Sequence, residues 1–135
     1  MNQAIILLEA YQLDSSKHQY LDAAQSLLDY VLGRNPTDYS FVTGFGIKSP
    51  MLIHHRPSAA DGILAPLPGF LAGGATLDAP SDCGALNYPS PVIAKFYVDN
   101  ECSYSTNEIA INWNAPSVYV SAGIQVLTSN KINQI

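Results

Sequence analysis

From Ala4 to Leu13 the chain runs Ala-Ile-Ile-Leu-Leu-Glu-Ala-Tyr-Gln-Leu, almost entirely helix formers and apolar residues. That run predicts a buried helix already under way when the chain starts. Asp14-Ser15-Ser16 reads as a turn. Beyond it Tyr20, Leu21, Ala24, Leu27, Leu28, Val31 and Leu32 form the i, i+3/i+4, i+7 stripe of an amphipathic helix, which Gly33 stops. A short link between two apolar helices predicts an antiparallel hairpin, one that leaves part of the first helix wanting further partners. Between Arg34 and Thr106 no helical period persists, and Gly and Pro recur from Pro36 to Gly74. Short strands are expected at Phe41-Val42-Thr43 and at Ala94-Lys95-Phe96-Tyr97-Val98. A loop region this long, rich in aromatic and apolar residues, reads as functional rather than disordered. A last helical region is expected to begin near Ser105, to break at Ala115 because Pro116 disfavours helix in the residue before it, and to resume with Pro116 in its first turn. Val120, Ile124 and Leu127 then share a face.

Composition narrows the molecular class. With 135 residues, 47% hydrophobic and 13% charged, the chain can bury the core of one small domain. A net charge of −5 has the wrong sign for binding phosphates through counterion release, so nucleic acid is not an expected partner. No run approaches the ~18 apolar residues of a membrane span. Met1-Asn2-Gln3 lacks the basic region of a secretory signal. Cys83 and Cys102 have no zinc-ligand spacing, which leaves two readings. One is a disulfide tying the loop of Asp82 to the segment before Tyr104; the other is a pair of buried thiols.

Two polar clusters carry the candidate chemistry. In His54-His55-Arg56, positions 54 and 56 would project to the same side of an extended loop and offer donors to sugar hydroxyls or a carboxylate. The plainer reading is a set of structural hydrogen bonds, the role expected of His55; no third ligand at a suitable spacing supports a metal site. The second cluster surrounds Glu108. An acid near a helix start can simply complement the dipole. Yet Ile109, Ile111 and Trp113 flank Glu108, with the amides of Asn107, Asn112 and Asn114 nearby. Dry surroundings would favour the protonated carboxyl, and a second carboxylate would favour it further.

These residues carry a resemblance. Ser40 to Lys48, continuing to Ile53-His54-His55-Arg56, resembles the histidine signature of glycoside hydrolase family 9, the family of many endoglucanases. Tyr97-x-Asp99, Tyr104, Glu108-x-Ala110 and Asn114-Ala115 resemble its acidic signature, and both match at every defining position. Tyr30 to Pro36 and Pro66-Leu67-Pro68-Gly69 are also similar to the family, so the likeness spans almost the whole chain. The resemblance implies Glu108 as general acid and Asp99 as a nearby supporting carboxylate, so the expected catalytic set is Glu108, Asp99 and His54. His54 and Arg56 would bind the glucan beside the scissile bond, and Tyr104 would line the cleft. It implies inverting hydrolysis of β-1,4-glucan, an (α/α)6 barrel of six helical hairpins, and an extracellular location. No cofactor is required, although calcium is a possibility in the full domain, for which Asp61 is a weak candidate ligand.

The family draws its catalytic base from an N-terminal aspartate pair, and no Asp-x-x-Asp occurs here. The expectation is therefore an all-α chain, residues 1–135 forming the C-terminal part of a catalytic domain: a partial barrel with a few helices and a long loop region, missing the N-terminal part. Alone it should retain little or no hydrolytic activity. Tyr39, Phe45, Tyr88, Tyr104 and Trp113 are candidates for stacking on sugar rings, or are simply core. Gly73-Gly74-Ala75-Thr76 departs from the family's usual Pro-Asn continuation, and specificity differences are expected between Leu77 and Pro91. Two alternatives accompany the endo-acting reading: an exo-acting cellobiohydrolase-type or chitobiose-type enzyme of the same fold, and a non-catalytic glucan-binding remnant.

Overall fold

The structure, a computed structural model, describes residues 1–77, 81–84 and 88–132. Among the described residues, five α-helices run in the order α1 (Asn2–Leu13), α2 (His18–Val31), α3 (Arg56–Ala60), α4 (Tyr104–Asn107) and α5 (Ile111–Ile132), with a 3-10 turn at Ile93–Lys95. The all-α expectation of a few helices around a long loop region holds, and no extended strand forms among the described residues. None of their helices is long and apolar enough to cross a membrane. The chain divides into two compact units, Met1–Asp29 with Asn112–Ile135, and Tyr30–Ile111.

The first unit is helical. Asp14 Oδ1 accepts the Ser16 amide (3.1 Å) and hydroxyl (2.6 Å), closing the turn between α1 and α2. Ala4, Leu8 and Tyr11 of α1, Leu21 and Ala24 of α2, and Val120 and Ile124 of α5 form one buried cluster, with Leu127 packed against it. The α2 stripe read from the sequence packs as far as Leu28, while Leu32 at its end is exposed. A Cβ at Gly123 would stand 3.0 Å from Leu8 Cδ1, so α5 meets α1 closely there. The apolar residues of α1 do not all find cover: Ile6 is 68% exposed and Leu13 90%.

Three expectations about local structure are corrected. Helix α5 does not break at Ala115 but runs from Ile111 through Pro116. The proline lies close to the helix start and removes only the bond its N–H would have given to the Asn112 carbonyl, a loss the packed helix tolerates. The final helical region is also not continuous from Ser105: α4 ends at Asn107, and Glu108 adopts extended angles (φ −69°, ψ 150°) before α5 begins. The expected strands are absent. Residues 93–95 make the 3-10 turn, and Phe41-Val42-Thr43 contributes a single bridge, Val42 to Leu71.

In place of strands, the second unit holds its loops in an irregular ladder of isolated bridges: Val42 with Leu71, Ala72 with Ile109, and Glu108 with His54. Backbone bonds from Thr43 N to Phe70 O (2.9 Å), Ala72 N to Phe41 O (2.9 Å) and Gly74 N to Thr106 O (2.8 Å) reinforce it. Phe41 anchors the ladder, buried against the ring of Tyr97 at 5.0 Å. Gly74 is required where it stands: its φ is +81° and a Cβ would lie 3.0 Å from the Phe41 ring. Gly33 (φ +117°) ends α2 as read from the sequence, its amide bonded to the Tyr30 carbonyl at 3.3 Å.

Candidate active site

Asn107, fully buried at the end of α4, ties three loop segments together. Its Oδ1 accepts the Tyr97 hydroxyl (2.8 Å), and its Nδ2 donates to the Leu52 carbonyl (2.6 Å) and to Asp99 Oδ1 (3.1 Å). Its own carbonyl accepts the His54 amide at 2.9 Å. A buried amide left without partners would cost about 1–3 kcal/mol, so this full set of bonds selects a single arrangement. Asp99 completes the knot: Oδ2 accepts the Met51 amide (2.8 Å) and Oδ1 the Leu52 amide (2.9 Å). Its carboxylate therefore faces the backbone that leads into His54. Burial raises the pKa of the Tyr97 hydroxyl far above the usual tyrosine range, with the Asp99 charge and then Tyr39 adding to the shift, so Tyr97 stays a neutral donor.

The parallel bridge puts His54 and Glu108 side by side. Paired positions of a ladder project to the same face, so imidazole and carboxyl leave the backbone together. His54 Nδ1 lies 2.6 Å from the Glu101 carbonyl, an atom that can only accept, so Nδ1 carries the proton and Nε2 is the ring atom turned to other work. The Tyr104 ring stands edge-on to His54 at 6.2 Å, and Tyr104 is 54% exposed. Glu108, Tyr104 and Arg56 all lie at the surface of the unit, and a cavity of about 200 Å³ beside α3 is lined instead by Leu52, Ile53, Ser58, Ile63, Leu64 and Glu101, among others.

A second polar network holds α4. Asp82 Oδ1 accepts the Tyr88 hydroxyl (2.8 Å) and Cys83 amide (3.0 Å), and Oδ2 accepts the Ser105 amide (2.8 Å). From Tyr88 the chain of hydroxyls continues to Ser103 (2.7 Å) and Thr106 (2.5 Å). Burial alone would raise the Asp82 carboxyl, but the hydrogen bonds, led by the Ser105 amide and the Tyr88 hydroxyl, hold it below its ordinary range. Tyr88 shifts the opposite way, upward, chiefly by burial. Cys83 and Cys102 are joined in a disulfide, which decides between the two cysteine readings and ties the Asp82 loop to the entry of α4.

Of the residues expected from the sequence, His54 and Glu108 are neighbours in the ladder, Asp99 is linked to both through Asn107, and Tyr104 meets His54. Arg56 departs from expectation: it is the first residue of α3 rather than part of an extended loop, because Pro57 favours a helix start there. Glu108 departs too. It follows the end of α4 instead of opening a helix, and its side chain is exposed. His55 has the structural role expected of it, standing at the N-terminal boundary of α3 with its ring bonded to Ser58 Oγ at 2.9 Å and packed on Phe70 at 5.1 Å. Asp61 Oδ1 accepts the Ile63 amide at 2.8 Å, and no group of three or more His, Cys, Asp or Glu among the described residues is arranged to hold a metal.

Among the candidate stacking aromatics, Tyr88 is core, Tyr39 packs on Tyr97 (4.9 Å) with Lys48 Nζ 4.1 Å above its ring, and Phe45 is exposed. Trp113 belongs to the other unit. Within the stretch 77–91 expected to vary, residues 78–80 and 85–87 lie outside the described residues. Asn107 and the Ser103–Thr106 hydroxyls were not legible as a framework; the only signal was an amide next to Glu108.

The profile of Glycosyl hydrolase family 9 matches residues 1–121. A xyloglucan-specific endo-β-1,4-glucanase from Bacteroides ovatus is 46% identical over 94% of this chain and 21% of its own length. Endoglucanase D of Acetivibrio thermocellus is 43% identical over 91% of this chain and 17% of its own. A solved Bacteroides ovatus GH9 structure superimposes with a TM-score of 0.77 at 44% identity, covering 93% of this chain and 20% of that one. The chain thus spans about a fifth of the length of these proteins.

Proposed function

The chain belongs to glycosyl hydrolase family 9, and on that premise we propose that the protein is an extracellular endo-β-1,4-glucanase that cleaves cellulose or a related β-glucan, xyloglucan included, with inversion. The observation that carries this reading is the parallel bridge that sets Glu108 beside His54. Glu108 protonates the departing glycosidic oxygen as the bond from the anomeric carbon breaks. Water attacks the opposite face of the sugar, activated by a carboxylate ~6.5–9.5 Å from the acid. That base lies outside these 135 residues, so this chain alone hydrolyses little or nothing.

The other residues bind and orient. Protonation at Nδ1 leaves His54 Nε2 to accept from a sugar hydroxyl, Arg56 donates from the start of α3, and the exposed Tyr104 ring offers a stacking surface. Asp99 acts through the 51–54 backbone it holds. No cofactor is needed for this chemistry. The disulfide suits an oxidising, extracellular setting.

The test uses the full-length protein on carboxymethylcellulose and xyloglucan. Glu108→Gln should lower kcat by roughly 10²–10⁴ while leaving polysaccharide retention in affinity electrophoresis nearly intact. Proton NMR of the fresh product should show the α-anomer first. Normal turnover in the glutamine variant, or the β-anomer appearing first, refutes the assignment.

A further inference from the structure

We infer that Asn107 is a positioning residue for the acid step, holding Glu108 and His54 in their mutual geometry; this rests on the proposed role of Glu108. Asn107 precedes Glu108 in the chain, so its placement sets where the acid's backbone leaves α4. Its carbonyl takes the His54 amide (2.9 Å), which fixes the register of the parallel bridge. Its side chain takes the Leu52 carbonyl (2.6 Å), two residues before His54, so the histidine segment is held twice by the same residue.

The far end of the side chain is held as firmly. Tyr97 donates to Oδ1 (2.8 Å) and Asp99 Oδ1 accepts from Nδ2 (3.1 Å), which fixes which way round the amide sits. Asp99 in turn grips the amides of Met51 and Leu52, closing a loop of bonds from 51–54 through 97–99 to 107–108. No buried side-chain nitrogen or oxygen among the described residues lacks a partner. Such a network transmits a change at Asn107 to Glu108 and His54 together. Neither Asn107 nor Tyr97 reaches the surface, so both act through the residues they hold.

A positioning role for the acid step has a signature that a general loss of structure lacks. Proton donation matters for a sugar alkoxide leaving group and much less for an acidic phenol. In the full-length protein, Asn107→Ala should lower kcat/KM on cellotetraose by roughly a hundredfold, the order expected of an ~1 Å misplacement. On dinitrophenyl β-cellobioside, whose leaving group needs little protonation, the fall should be roughly tenfold smaller or less. Tyr97→Phe removes only the bond to Oδ1 and keeps the ring against Phe41 and Tyr39, so it should fold and show the same selectivity at smaller size.

Glu108→Gln run in parallel separates the two claims. If it spares the activated substrate while Asn107→Ala and Tyr97→Phe lower both substrates equally, or neither, the positioning role is overturned and the acid assignment stands. If Glu108→Gln itself shows no dependence on the leaving group, the acid assignment fails first. Should Asn107→Ala not fold, the Tyr97→Phe result decides.

Discussion

Replacing Asp99 by asparagine changes one atom and no volume, yet the structure assigns it a specific cost. Asp99 accepts three bonds, from Met51 N (2.8 Å), Leu52 N (2.9 Å) and Asn107 Nδ2 (3.1 Å). An asparagine can satisfy the last two with its carbonyl, but its NH2 then faces the Met51 amide, donor against donor. The variant loses one charge-assisted bond, worth about 1.5–3 kcal/mol, and reduces two others to the neutral level of about 1 kcal/mol each. Asp99 is only partly buried, and water recovers some of this, so the net loss should be about 2 kcal/mol. The assay is native-state hydrogen exchange. The Met51 and Leu52 amides should exchange about 30-fold faster, because every 1.4 kcal/mol is a factor of ten. Amides of α1 and of α2 as far as Asp29, in the other unit, serve as the internal reference. Unchanged exchange at Met51 and Leu52 would show that Asp99 does not hold this backbone, and the account of the site would fail with it.

Two further outcomes follow from the support of α4. The Cys83–Cys102 bridge closes a loop with a sequence separation of 19, so reduction should lower stability by about 3 kcal/mol; the urea midpoint should fall under reductant, while a Cys83→Ser, Cys102→Ser double variant should not respond to it. The Asp82 carboxyl is depressed in the folded state, so its contribution is complete above the ordinary carboxylate range and is lost as pH falls below 3.8. Asp82→Asn should therefore be less stable than the parent at neutral pH and lose less on acidification, which a series of urea midpoints from neutral to acid pH would reveal; parallel curves would contradict it.

The parts of this protein legible in its sequence are those governed by near neighbours. Helix α2 and the buried face of α5 were readable because the 3.6-residue period records which side chains point inward, and Leu21, Ala24, Val120 and Ile124 are indeed core. The signatures around His54 and Glu108 were readable for a different reason: the spacing of residue types is itself a sequence property. Local rules misled at Pro116, where the preference against helix before proline yielded to packing along α5. They misled again at Phe41-Val42-Thr43 and Ala94-Lys95-Phe96-Tyr97-Val98, whose β-favouring side chains serve to bury Phe41 and Tyr97 against each other rather than to pair strands.

What the tertiary structure alone decided is which polar groups meet. Asn107 finds Leu52 from 55 residues away, Tyr97 from 10 and Asp99 from 8, and no periodicity marks such partners. The pairing of Cys83 with Cys102, open in the sequence, needed their positions in space. The same holds for Glu108: its apolar neighbours in the sequence suggested dry surroundings, but adjacent residues in an extended link face different ways, and the carboxyl emerges into solvent beside His54. Sequence determined the family, the α1–α2 hairpin, the packed face of α5 and the chemical types at the site, because these depend on composition and short-range spacing. Three-dimensional packing decided how each carboxylate, amide and hydroxyl is used, because a hydrogen bond depends on distance and direction between groups that the chain order leaves far apart.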